Sequence, residues 1–485
     1  MVAKLPPSAP FVRKEMLPPE APPAAQQGAA KWLRENLFSS PLNVALTVIG
    51  ALMIFWMISG SLPWLMNSVW NANSLGECRQ IITEYAGEGA TGACWAVVRA
   101  RWHQFIFGFY PPELYWRVIF AFGLLLISLV PVLFIGQAKK GLWMAGVVAA
   151  LLLITLPALG IPAGAAVIVA VVIAGLIAVQ ARAPGRMFIL TLLYPFVGFW
   201  LLWGGSIWRP LVALAGFVVM SFVYRLLQGR LGVVMATALG FVAACLWWIV
   251  AQGPVVDTLH IAMPIGITGV DSDRFGGFLL AITIGITAIS FSLPLGILLA
   301  LGRQSDMFLI KTLSVGFIEF IRGVPLITLL FTASLLLKYF LPPGTNFDSI
   351  LRVIIMVTLF AAAYLAEVIR GGLAALPRGQ YEAADALGLD YWKAQRLIVM
   401  PQALKIAIPG IVSTFIGLFK DTTLVSFVGL LDPLKGITTI VRADMAWKGI
   451  YWEPYIFVGL LFFIICFGMS RYSMYLERRL KTDHR

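Results

Sequence analysis

Charge is scarce in this chain. Only 12% of its 485 residues are Asp, Glu, Lys or Arg, against roughly 25% in a soluble domain. With 60% hydrophobic residues and a mean hydropathy of +0.88, the composition is that of a polytopic membrane protein. Histidine and cysteine are scarcer still. Three scattered His and four Cys with no CxxC pair argue against a metal centre. No GxxxxGK[ST] phosphate loop occurs, so if ATP powers this protein another subunit binds it. No clustered nucleophile or acid–base pair supports a membrane enzyme. The net charge of +13 comes without a basic stretch interleaved with aromatics, so nucleic acid is not an expected partner.

What the chain has is long apolar runs, and a membrane span needs about 20 such residues. Residues 1–40 are Pro-rich and polar with no signal-like apolar region, which reads as a cytosolic tail in which only 29–38 forms a short interfacial helix. The first run is 42–66. A wet segment, 67–113, follows, and then six runs at 115–136, 142–159, 162–180, 187–205, 209–227 and 232–252. A second wet stretch, 253–274, precedes five more runs at 276–301, 312–340, 349–374, 404–430 and 454–475. The expectation is an all-α protein of about 12 transmembrane helices, with an extension over 41–255, a five-helix core over 275–475 and a cytosolic tail over 476–485. With the N-terminus inside, the short inside loops collect Lys139, Lys140, Arg182, Arg186, Arg225, Arg230, Arg303 and Lys311, and the tail adds Arg478, Arg479 and Lys481. That is the positive-inside pattern, with both termini in the cytoplasm. It puts the loop 67–113 in an oxidising compartment, where Cys78 and Cys94 are a candidate disulfide and where a binding protein would make contact.

One long segment of the second half is plainly not a span: Glu382 to Pro401, EAADALGLDYWKAQRLIVMP. Its small-residue helix stops at Gly388, a residue that permits positive φ. Asp390, Lys393, Gln395 and Arg396 give it a polar face, and Pro401 closes it. Physically this is a knob between two spans with Ala on its surface, on the side where the charge pattern puts the cytosol. The spacing of Glu382, Ala383, Ala384, Gly388, Ile398 and Pro401 resembles the EAA signature of ABC importer permeases, with Met400 where Leu is usual. The segments AYLAEVIRGGLAALPRGQYEAADALG, PQALKIAIP and FKDTTLVS are similar to the polar amino acid branch of those permeases. The whole chain resembles the long, M-type permease subunit of general L-amino acid importers of Gram-negative bacteria. The match is strong over roughly 275–475, visible at FVRKEMLPPE and from Gly92 to Phe109, and weakest from about 140 to 260.

The resemblance implies a type I ABC importer core in the bacterial inner membrane with a cytosolic coupling helix over 380–401. It implies a second permease subunit as a heterodimer partner, two cytosolic ATPases that hydrolyse ATP with Mg, and a periplasmic amino acid-binding protein. Glu382, Ala383, Ala384 and Gly388 would then couple the spans to an ATPase, and this chain would hold no cofactor of its own. An ion-gradient-driven amino acid carrier is the alternative, since 12 spans with midplane charges suit one too.

Charges inside spans are costly and mark either function or internal pairing. Glu319 and Arg322 share a helix face, as do Glu367 and Arg370. Lys420 and Asp421, followed by Thr422 and Thr423, are expected near the middle of the span 404–430. A zwitterionic amino acid needs an acceptor for its ammonium and a donor for its carboxylate, and these four residues offer both. The KDTTL run is similar to the family's KDTSL beside the translocation path; the opposite reading is a structural pair. Pro294, Gly296, Gly323 and Pro325 fit either gating or close packing.

Overall fold

The computed structural model describes residues 28–480 apart from 135–136, 162, 337–338 and 340–347. The N-terminal tail before residue 28, Lys481 and His484 therefore lie outside the described residues. The chain divides into two compact units, residues 1–96 and 97–485. It is almost wholly helical; two-residue strands Gly205–Ser206 and Gly266–Ile267 pair antiparallel. Among the described residues 11 helices are long and apolar enough to cross a membrane, or up to 12 if one bent pair is a single span.

In the first unit, α1 (Gly28–Asn36) precedes the apolar α2 (Pro41–Met66), which starts where the Ser40 side chain accepts from the Asn43 amide and Pro41 takes the first helical position. The wet segment is ordered rather than a plain loop. Ser74 caps α3 (Leu75–Ala86) by accepting from the Glu77 amide, and Gly87 ends it at φ 93°. The Val69 amide donates to the Ala93 carbonyl. A Cβ on Gly92 would lie 2.1 Å from the Asn67 carbonyl oxygen, so only glycine allows this strand-like approach.

The second unit opens within α4 (Ala96–Phe107), followed by α5 (Tyr115–Leu133), α6 (Ala138–Ala158), α7 (Ala163–Arg182) and α8 (Met187–Trp203). The next two spans form a hairpin, α9 (Trp208–Val233) and α10 (Met235–Ala262), turned at Gly232 with φ 77°. The Trp247 and Trp248 indoles donate across it to the Val212 and Ala213 carbonyls at 2.8 and 2.9 Å. The wet stretch expected from Gly253 thus begins as helix, because the hairpin carries Asp257 out on the last turns of α10.

The core comprises α11 (Gly277–Gln304), α12 (Phe308–Gly323), α13 (Leu326–Leu336), α14 (Ser349–Ala374), α15 (Gly379–Ala386), α16 (Tyr391–Val428), α17 (Pro433–Ala443) and α18 (Trp452–Leu480). A single span was expected over 312–340, with Gly323 and Pro325 as its kink. Instead α12 and α13 meet at 103°. Pro325 has no amide hydrogen to continue α12 and excludes helical backbone at Val324, which sits extended at φ −107°, ψ 132°. Close packing accounts for Gly296: a Cβ there would lie 2.8 Å from the Leu365 Cβ of α14. One apolar cluster runs from Val118 and Leu124 of α5 through Leu279 and Ile284 of α11 to Val353 and Val357 of α14, so extension and core share a single interior within this unit.

Candidate functional site

The handle between α14 and α16 is built in three steps. The helix α15, GQYEAADA, carries Glu382 in its first turn, where the helix dipole favours an anion. Gly388 then takes φ 66°, and the Leu389 amide reaches back to the Ala384 carbonyl at 3.2 Å. This is the left-handed helix end that glycine adopts most readily. Asp390 restarts the chain: its carboxylate accepts from the Lys393 amide at 3.0 Å and pairs with the Lys393 ammonium at 2.8 Å. Those bonds hold the Asp390 carboxyl below its usual range.

Two expectations for the handle need correction. Ala384 is not on its surface but 1% exposed, turned inward, while Glu382, Ala383, Asp385, Ala386 and Gly388 are exposed. With an eight-residue helix resting on the bundle, one face in 3.6 residues must point in. Nor does Pro401 close the segment. It is the second residue of the regular helix that follows a π-helical stretch, Gln395–Val399, and α16 runs on to Val428. The handle also exposes large apolar side chains, Leu387 at 72% and Trp392 at 67%.

At the same end of the bundle the in-span charges gather. Arg303 Nη1 contacts Glu319 at 2.9 Å and Glu367 at 2.6 Å, and Glu367 also meets Arg370 at 3.0 Å and Arg322 at 3.9 Å. Glu319 thus pairs with Arg303 of α11 rather than with Arg322 of its own helix, and Arg322 lies over the Tyr364 ring at 5.6 Å. The cluster ties α11, α12 and α14 together.

Lys420 and Asp421 end the α-helical part of α16, which tightens into a 3₁₀ stretch, Thr422–Val428, stopped by Gly429 at φ 96°. Both threonine hydroxyls are used locally. Thr422 Oγ1 donates to the Phe419 carbonyl and Thr423 Oγ1 to the Lys420 carbonyl. Thr422 is fully buried against α11, where Gly285 leaves room for it. Cys78 and Cys94 form a disulfide with Cα atoms 5.9 Å apart, in the first unit. Cys245 and Cys466 are free thiols.

Two buried arginines escaped the sequence reading. Arg117 of α5, 1% exposed, donates to the Leu201 and Thr268 carbonyls, each at 2.8 Å, pinning α8 and the strand that leads to the core. Arg352 of α14 donates to the Ser334 carbonyl at 2.6 Å. A lone charge in an apolar run was the available signal for both.

Apolar spans, one broken beside a charged cluster, with an exposed short helix held between two others, make a polytopic membrane protein that presents a handle at one end of its bundle. Residues 292–482 match the family described as binding-protein-dependent transport system inner membrane component. Over 475 residues the chain is 61% identical to the glutamate/glutamine/aspartate/asparagine transport system permease protein BztC of Rhodobacter capsulatus, covering 98% of this chain and 99% of that one. It is 34% identical over 466 residues to the inner membrane amino-acid ABC transporter permease protein YhdY of Escherichia coli, covering 96% of each. A crystal structure of an amino acid ABC transporter with histidines shares 29% identity, covering 41% of this chain and 91% of that one, at a TM-score of 0.37. The chain belongs to the binding-protein-dependent inner membrane components, as a permease of an amino-acid ABC importer. Partners of the ABC kind, an ATPase and a binding protein, come with that membership, and an ion-gradient-driven carrier is not favoured.

Proposed function

We propose that this permease moves polar L-amino acids, acidic ones and their amides in particular, in a heterodimer with a second permease. The substrate class rests on the name of the R. capsulatus relative, aligned along nearly the whole of both chains. Two cytosolic ATPases grip the handles of the two permeases and hydrolyse ATP with Mg; this chain holds no nucleotide. A periplasmic binding protein delivers the substrate on the opposite side, and both termini lie in the cytoplasm, a reading the Lys and Arg distribution supports.

The single observation that carries the coupling half of this reading is the exposed edge of α15. Glu382, Ala383, Asp385, Ala386 and Leu387 offer small and acidic residues around one large apolar side chain on a short helix with no apolar cover. Such a helix fits into a cleft as a knob. ATP-driven closure of the ATPases would move the handle, the salt-bridged ends of α11, α12 and α14 would move with it, and the core would change the side to which it opens. Asp421 is the proposed path residue for the ammonium of the substrate and Lys420 for its carboxylate. The test is cysteine crosslinking in the complete transporter. Ala383→Cys should crosslink to an ATPase cleft cysteine, with yield changing between ATP-bound and nucleotide-free states. No crosslink from position 383 or 387 in any nucleotide state would overturn the handle assignment.

A further inference from the structure

Within the second unit a cleft of about 700 Å³ opens between helices of the extension and helices of the core. One wall is α5 and α8, with Phe122, Leu125 and Phe199; the other is α11 and α14, with Ile286, Ile354 and Leu359. Each wall is made of helices long and apolar enough to cross a membrane, so the cleft lies at bilayer depth. Phe199, Phe291 and Leu351 on its lining are 42%, 51% and 45% exposed, so it is open along its length rather than sealed.

Its chemistry is graded. Thr283 and Thr287 turn their hydroxyls onto their own helix, donating to the Leu279 and Thr283 carbonyls, which satisfies those hydroxyls without a ligand. The polar groups gather at one end, where Trp203, Arg209 and Asp348 line the mouth. Arg209 is exposed and makes no ion pair among the described residues. Asp348 is the cap of α14, accepting from the Leu351 amide and the Ser272 hydroxyl. A cation and an anion at the mouth, a Trp beside them and an apolar cleft beneath match a zwitterionic phospholipid: phosphate on Arg209, amine toward Asp348, acyl chain along the cleft.

We propose that this cleft is a phospholipid site in which one acyl chain fills the seam between extension and core and Arg209 holds the phosphate. The lipid then acts as packing material joining the two, which gives the extension a mechanical role distinct from the handle. The proposal does not depend on the substrate or coupling assignments, because lipid retention is read without transport.

The complete transporter, purified and delipidated in mild detergent, is examined by native mass spectrometry with phosphatidylethanolamine as the added probe. The unaltered protein should retain one phospholipid. Thr287→Trp, which fills the cleft, should lose it, and Arg209→Gln, at an exposed position, should weaken retention roughly tenfold, the worth of one charge-assisted hydrogen bond. Thr358 decides between a lipid chain and a polar solute. Its hydroxyl is buried on the lining without a partner, so Thr358→Val should keep or raise lipid retention, whereas a polar occupant would bind less. Lipid equally retained in Thr287→Trp and Arg209→Gln would overturn the proposal. So would a fall in Thr358→Val, or crosslinking of Phe291→Cys to the second permease, which would make the cleft a protein interface.

Discussion

Arg303 of α11 and Glu367 of α14 meet at 2.6 Å, and around that contact Glu319, Arg322 and Arg370 complete a five-residue ionic cluster. Glu367 is the hub, since three arginines approach its carboxylate while its side chain keeps only 16% exposure. Removing it would leave three cations facing one another in a poorly solvated place. Glu367→Ala should therefore cost about 1–3 kcal/mol, below the full price of breaking a buried pair because the arginines are partly solvated. A fall of several degrees in thermal midpoint in detergent checks it. Glu319→Ala, whose carboxylate is 55% exposed, should cost well under half as much. Equal effects of the two would show that Glu367 is no hub.

Gly388 carries the bend of the handle at φ 66° with open space around it. A side chain there meets no neighbour, so a substitution acts through the backbone alone. Gly388→Val should be strained by about 1–2 kcal/mol in this conformation, while Gly388→Asn should be tolerated. The expected signature is normal membrane insertion with uptake lost and basal ATP hydrolysis retained in Val, and near-normal uptake in Asn. Uptake by Gly388→Val at the unaltered rate would break the link between this bend and coupling.

Much of this was legible in the sequence, and what was missed shares one physical cause. Apolar runs declare spans because backbone in lipid must satisfy itself as helix, so the runs from 42–66 to 454–475 each found a helix, except 312–340, whose described residues form two. Gly388 was legible because one residue type dominates that backbone geometry. Pairing across helices was not. Arg303 was sorted into a loop by its sign, yet it reaches Glu319 and Glu367 on two other helices. The same holds for Ala384, whose inward face depends on what α15 rests against, and for Arg117, whose carbonyl partners lie 84 and 151 residues away. Pro325 was visible as a kink, but its 103° consequence depends on where α13 finds packing.

The disulfide of the first unit closes a loop of 16 residues, Cys78 to Cys94. Closing a loop near that length removes about 3 kcal/mol of unfolded-state entropy. Replacing both cysteines by Ser should lower the protease resistance of the segment 67–95 while leaving α4 onward unaffected. Mass analysis of alkylated protein should show both thiols blocked only after reduction.

Asp432 caps α17, its carboxylate accepting from the Leu434 and Lys435 amides at 3.1 and 3.0 Å, and it is fully buried. Burial pushes its carboxyl up to about 6, against the lowering effect of those amides. Between the unfolded value of 3.8 and about 6 the folded protein holds the proton more firmly than the unfolded chain does. Stability should therefore fall as pH rises through that window and stay at its lower level above it, by at most about 3 kcal/mol. Asp432→Asn keeps the cap and removes the charge, so its thermal midpoint should be higher than the parent's at pH 8 and equal to it near pH 4. A lower midpoint at pH 8 would mean that the charged form is the one the fold favours.

Lys420 and Asp421 stand where α16 changes from α to 3₁₀ geometry, and among the described residues no salt bridge holds either of them to another helix. Thr422 and Thr423 have given their hydroxyl protons to the backbone, so they offer a ligand lone pairs only. In the proposed path the two charges would therefore be the groups that hold the two ends of the substrate. Removing the acid should weaken the hold on an ammonium group shared by every amino acid, and so lower uptake of all substrates by a similar factor, roughly tenfold for one charge-assisted bond. Removing the base should act selectively if Lys420 faces a side-chain carboxylate, depressing acidic substrates more than their amides. Competition uptake by Asp421→Asn and Lys420→Met, with glutamate against glutamine, separates these patterns. An unchanged preference in both variants, accompanied by lower thermal stability, would assign the pair to structure instead of to the path.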